Sequence, residues 1–143
     1  MTDRPSYLLD VGVLIALTNV EHVHHVRARR WFRDVEQWAT TPFTEAGFVR
    51  LMLNPVVAGT TRSASEVFDA LRAMRARHGH RFVADDTSLA DASVDLSGLV
   101  GHRQVTDLHL VNLASRHGLV LATLDARLAK ALIGKDQPTV TLI

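Results

Sequence analysis

Two short, continuously apolar segments constrain this chain more than anything else in it: residues 6–11 (SYLLDV) and 119–123 (LVLAT). Apolar runs of this length, without polar alternation, fit strands buried on both faces. Around them, apolar residues recur at helical spacing. Ala28, Trp31, Phe32 and Val35 share one face of a helix expected over 22–37. Val67, Leu71 and Met74 do the same in a helix over 65–78 that Gly79 ends. Val13 to Thr18 begins a helix after a break at Gly12. GFVRLML forms another, with Pro42 and Thr44 before it and Pro55 just past it. Thr106 reads as the N-cap of a helix over 107–117 closed by Gly118, and Asp125 as the cap of a short helix through Ala131. Strand-like segments at 38–41, 82–84 and 139–143 complete the series, and 85–102 reads as an acidic loop with a short helix. Strands alternating with helices predict an α/β/α sandwich around a central, mostly parallel sheet. Such sheets bind ligands beyond the carboxyl ends of their strands.

At 143 residues the chain is read as one domain, able to bury a core without staples. There is no Cys, which excludes a disulfide framework, a thiol nucleophile and a cysteine zinc site. A net charge of +1 gives no global basic field, and 47% hydrophobic residues exclude intrinsic disorder. The apolar run from Tyr7 to Leu17 is short for a bilayer and holds a charge at Asp10, so a soluble, cytoplasmic protein with no membrane partner is expected.

Four acids stand out by position. Asp10 closes the first strand, Glu45 follows the second, Asp107 opens a helix after Thr106, and Asp125 follows LVLAT. Asp107 and Asp125 also fit ordinary helix starts, and Glu45 a solvated first turn. Asp10 is different, because a carboxylate inside YLLDVGVLIAL is costly to bury without a partner. Carboxylates gathered on one rim repel each other unless a cation joins them, and an oxygen-only donor set suits Mg²⁺ or Mn²⁺.

The segments YLLDVGVLIAL, TPFTEAGFVRL, VTDLHLVNLA and LVLATLDARLAK, in this order, resemble the four motifs of PIN-domain ribonucleases. More narrowly, the chain resembles the VapC-type toxins of toxin–antitoxin modules, from about Tyr7 to Leu142. The resemblance implies a metal-dependent endoribonuclease that cleaves RNA phosphodiester bonds. Its catalytic acids would be Asp10, Glu45, Asp107 and Asp125. Asp10 and Asp107 would be the firmest ligands of Mg²⁺ (or Mn²⁺), and Thr106 the supporting hydroxyl. It also implies RNA as substrate, a cognate antitoxin as partner and a homodimer. One departure stands out: where the family commonly has Asn two residues after the first acid, this chain has Gly12. The rival reading is a catalytically impaired PIN-fold module that binds RNA or an antitoxin.

Positive charge for an RNA backbone is concentrated at 27–33 and 72–81, where Arg dominates, although solvated helix faces explain the same pattern. Trp31 and Trp38 are candidates for base stacking, with Trp31 also fitting a core position. An apolar groove for an antitoxin segment is expected from Trp31, Phe32, Phe48, Leu51 and Met52, with core packing as the alternative for each. The clusters His22, His24, His25 and His78, His80 read as solvated helix starts rather than a zinc site, and His109 as pointing away from the acids. A haloacid dehalogenase-type phosphatase would need a second carboxylate at Gly12. A receiver domain would need a lysine after a late strand, and Lys130 and Lys135 are misplaced for that. Phosphate-loop and serine-hydrolase motifs are absent.

Overall fold

A computed structural model of the chain describes residues 4–95, 97, 101–132 and 134–143. The elements follow as β1 (Ser6–Leu9), α1 (Val11–Thr18), α2 (His25–Phe32), β2 (Gln37–Thr40), α3 (Pro42–Met52), α4 (Pro55–Ala58) and α5 (Ala64–Arg75). Then come β3 (His80–Phe82), α6 (Val105–Arg116), β4 (Val120–Thr123), α7 (Ala126–Ala131) and β5 (Val140–Leu142). Short 3₁₀ turns at Leu89–Asp91, His102–Gln104 and Gly134–Thr139 join some of them.

The five strands form one sheet in the order β3-β2-β1-β4-β5, every pair parallel. Side chains of β1 alternate between its two faces, as the strand period requires. Leu9, with Trp38 and Ala122 from the neighbouring strands, packs under helices that contribute Val13, Phe32, Phe48 and Met74. Leu8, with Ala39 and Leu121, packs on the opposite face against Leu108, Val111 and Leu128. The result is the expected three-layer sandwich. The chain leaves β1 toward β2 and β3 on one side and returns to β4 and β5 on the other. The switch point therefore lies between β1 and β4, where the Asp10 amide donates to the Ala122 carbonyl at 3.1 Å.

Several expected boundaries move, each for a local reason. Gly12 does not break the chain. The first strand ends at Leu9, Asp10 becomes the N-cap of α1, and Gly12 sits inside that helix. Thr106 is not the cap of α6; the 3₁₀ turn at His102–Gln104 runs into the helix, Gln104 takes the cap position and Thr106 lies in the first turn. The helix expected over 22–37 shrinks to α2, and Val35 packs on the core from the following turn. Pro42 is not a flank but the first residue of α3, while Pro55 lies past the end of α3 as expected and opens α4; in both first turns the missing N–H costs nothing. The third strand is His80–Phe82, two residues earlier than expected, directly after Gly79, which adopts φ +86°. Of the loop expected over 85–102, residues 96 and 98–100 lie outside the described residues. No helix among the described residues is long and apolar enough to cross a membrane.

Candidate active site

Three of the four acids meet at the switch point. Asp10 is fixed on both oxygens: Oδ1 accepts from the Val11 amide at 2.7 Å and Oδ2 from the Thr123 hydroxyl at 3.0 Å. The same Thr123 oxygen accepts from the Asp125 amide at 3.0 Å, so one hydroxyl ties the ends of β1 and β4 together. Asp125 caps α7, accepting from the Arg127 amide at 2.9 Å. Asp107 stands in the first turn of α6, half-buried, with no hydrogen-bond donor to its carboxylate among the described residues. Burial pushes its pKa up to about 6, and the charges of Asp10 and Asp125 push in the same direction. Burial also raises Asp10, opposed by the hydrogen bonds from Thr123 and Val11 and reinforced by Asp125.

Glu45 occupies a different environment. Its Oε2 accepts from the Thr40 hydroxyl at 2.5 Å, and its Oε1 lies 3.6 Å from an Arg75 guanidinium nitrogen. Thr40 Oγ1 is also 2.8 Å from His80 Nε2. Burial lowers the pKa of His80, as does Arg75, while Glu45 raises it. The fourth acid therefore comes with its own cation and hydroxyl, at the ends of β2 and β3.

Two clefts open beside Asp10. One, of about 370 Å³, runs between α3 and α6 and is lined by Asp10, Phe43, Gly47, Arg50, Thr106 and Asp107. The other, of about 350 Å³, is lined by Gly12, His22, His24, Thr123 and Asp125 as well as Asp10. A Cβ at Gly12 would meet nothing within 4 Å, so the position commonly held by Asn is open space. His22 and His24 thus line this cleft, although His24 is also the expected helix start, the N-cap of α2. The turn after α1 folds back over the strand ends, which periodicity does not reveal. His109 does point away from the carboxylates, toward Asp85, with Nε2 2.7 Å from Oδ1.

Other expectations fail on packing. Trp38 is 1% exposed and donates from Nε1 to the His78 carbonyl at 3.0 Å, so it cannot stack on a base. Trp31 packs edge-on against Tyr7 at 5.0 Å, in the core position that its helical spacing predicts. Phe32, Phe48 and Met52 are core, and Trp31 and Leu51 are partly buried against it, which removes the expected groove.

Among the described residues no three His, Cys, Asp or Glu side chains stand close enough to enclose a metal ion. The donor set nevertheless fits one kind of cation. Mg²⁺ keeps several waters and needs only one or two carboxylates, and Asp10 and Asp107 face one cleft with no cation paired to either among the described residues.

This fold and this acidic corner define a class. The PIN-domain profile matches residues 7–132, and the chain belongs to the PIN-domain family. Within that family its relatives carry a narrower name. Ribonuclease VapC38 of Mycobacterium tuberculosis is 50% identical over 121 residues, 83% of this chain and 84% of that protein. Ribonuclease VapC39 of the same species is 46% identical over 125 residues, 85% of this chain and 90% of that one. Two solved structures share the fold. M. tuberculosis VapC20, a Sarcin-Ricin loop cleaving toxin, matches with a TM-score of 0.60 at 14% identity over 89% of this chain and 96% of that one. VapBC2 from Rickettsia felis, bound to a promoter DNA fragment, matches with 0.60 at 12% identity over 96% and 97%.

Proposed function

We propose that the protein is an endoribonuclease, the toxin of a type II toxin–antitoxin module, that cleaves RNA phosphodiester bonds with the help of Mg²⁺ or Mn²⁺. One observation carries this reading: Asp10, Asp107 and Asp125 crowd the switch point of the sheet, and among the described residues no cation neutralises the half-buried Asp107. Such crowding raises the free energy of the metal-free site and is relieved by a divalent ion. Asp10 and Asp107 would hold the ion, which would supply Lewis acidity to the scissile phosphate and the attacking water.

The chain's own groups set up that chemistry. Thr123 and the Val11 amide fix the Asp10 carboxylate, leaving its remaining lone pairs toward the cleft. Asp125 adds negative charge from the helix cap. Thr106 offers a hydroxyl on the cleft wall. Glu45, held by Thr40 and Arg75, supports the site from its side rather than supplying the first ligand. Gly12 leaves the pocket short of one polar side chain but leaves these contacts intact, which favours activity over a purely binding role.

A cytoplasmic nuclease of this kind is held in check by an antitoxin, and an Arg side chain from that partner matches the acidic corner in charge and geometry. The nuclease acts as a homodimer. The test is cleavage of RNA by the purified protein with Mg²⁺, Mn²⁺ or EDTA, beside the Asp10→Asn variant. Cleavage that needs the ion and Asp10 supports the reading, and cleavage unaffected by EDTA overturns it. Co-expression with the adjacent gene product checks the partner: the expected outcome is a stable complex without nuclease activity.

A further inference from the structure

The cleft between α3 and α6 holds more than the acids need. Phe43, in the first turn of α3, is 38% exposed although it is a large apolar side chain. Its ring is braced edge-on by His109, with centroids 5.6 Å apart, and His109 is itself anchored by Asp85 at 2.7 Å. A braced, exposed aromatic ring is a stacking platform that loses little entropy when it is used. Arg50 lies seven residues further along the same helix, about 10 Å by helical rise, and lines the same cleft. No carboxylate among the described residues pairs with Arg50, although Asp10 and Asp107 share its cleft. Between Phe43 and Arg50 the wall is Ala46 and Gly47. A Cβ at Gly47 would come within 2.9 Å of a Val11 methyl, so the glycine lets α1 pack closely on α3 at the floor of the cleft, which Val11 also lines.

Carboxylates at one point, an aromatic ring beside them and an unpaired guanidinium two turns away match the repeating parts of a nucleic acid strand. We propose that this cleft is a nucleotide subsite for single-stranded RNA, with a base stacked on Phe43 and the phosphate of a neighbouring nucleotide held by Arg50. A paired base cannot offer its face to Phe43, so the strand must be a loop or an unpaired segment. This assignment rests on the ribonuclease reading, and Phe43 and Arg50 are binding residues that leave the acids' work unchanged.

The experiment has two arms on the full chain. In the first, kcat and KM are measured for a single-stranded oligoribonucleotide. Phe43→Ala is expected to raise KM about tenfold with kcat little changed, and Phe43→Trp to restore it. Arg50→Ala is expected to raise KM and to reduce the salt slope of binding by about one, with Arg50→Lys restoring part of the loss. In the second arm, a fluorescent single-stranded oligoribonucleotide is bound to the Asp10→Asn protein in Mg²⁺ and monitored by anisotropy. Phe43→Ala and Arg50→Ala in that background weaken binding by the same factors, and unlabelled single strands compete better than duplex. A wild type that cleaves no RNA in the first arm overturns the ribonuclease reading, while the second arm still reads the subsite. Unchanged KM and unchanged anisotropy in both variants overturn the subsite. So does loss of dimerisation or antitoxin binding with RNA affinity intact, which would make the cleft a protein interface.

Discussion

The Asp107 corner and the Glu45 corner lie at the same edge of the sheet and carry the same kind of side chain. At the first, three carboxylates act on one another, and Asp107 receives no hydrogen bond and no cation among the described residues. At the second, one carboxylate is satisfied by Thr40 at 2.5 Å and faced by Arg75 at 3.6 Å. Four acids at comparable motif positions therefore occupy two electrostatic states. At the first corner the exposed Arg127 reaches only Asp125, at 3.9 Å, and Asp10 and Asp107 have no cation among the described residues; at the second, Arg75 faces the single carboxylate. On the function proposed above, this difference would separate the residues that hold a metal, Asp10 and Asp107, from Glu45, which supports the site around it.

The largest expected contrast is in catalysis. Asp10→Asn or Asp107→Asn should lower RNA cleavage by about 10³-fold or more, since Lewis-acid stabilisation is worth several kcal/mol. Glu45→Gln should cost only about 10- to 100-fold, the range of residues that act through others. Equal losses in a single-turnover cleavage assay would erase the distinction.

Next is stability without metal at pH 7.5. Asp107→Asn should raise the melting temperature by removing a repelled charge. Glu45→Gln should lower it, at a cost of about 1 kcal/mol in stability, through a weakened charge-assisted hydrogen bond and ion pair. Opposite signs in calorimetry are the outcome to look for.

The pH dependence sharpens the same point. A free Asp titrates near 3.9, and Asp107 is pushed up to about 6. Between those values the native state binds more protons than the unfolded one, so stability falls as pH rises. That contribution is fully present below about pH 4 and lost as pH passes 6. Asp10 is shifted in the same direction. The metal-free melting temperature should thus decline from pH 4 to 7, less steeply in Asp107→Asn. The smallest effect is at Gly12. Gly12→Asn finds open space and gains helix propensity, so its stability should change by less than about 0.5 kcal/mol.

Much of this was legible in the sequence because it rests on local patterns. The runs SYLL and VLAT are buried strands, and β1 and β4 are neighbours, as two-sided apolar segments demand. Asp10 was singled out because an acid in an apolar run needs a reason. The separation of Glu45 from the other acids was not legible. Chain position puts Glu45 in the first turn of α3 but does not say that its side chain turns toward Thr40 and Arg75. Arg75 lies thirty residues further on. In the sequence Thr123 is only the end of an apolar strand, though in the fold it bridges Asp10 and Asp125. The groove expected from large apolar residues failed because Phe48 and Met52 face inward on α3. Phe43 and Arg50 are on its cleft side.

The most direct test is a Mg²⁺ titration of the metal-free protein at pH 7.5, followed by melting temperature, in wild type, Asp107→Asn and Glu45→Gln. Binding to the native state alone stabilises by mass action, so the wild-type midpoint should climb with Mg²⁺. Glu45→Gln should climb in parallel from a lower start, and Asp107→Asn should stay flat. A wild type that does not respond, or an Asp107→Asn variant that responds as wild type does, would contradict the assignment of the metal to the Asp10–Asp107 corner.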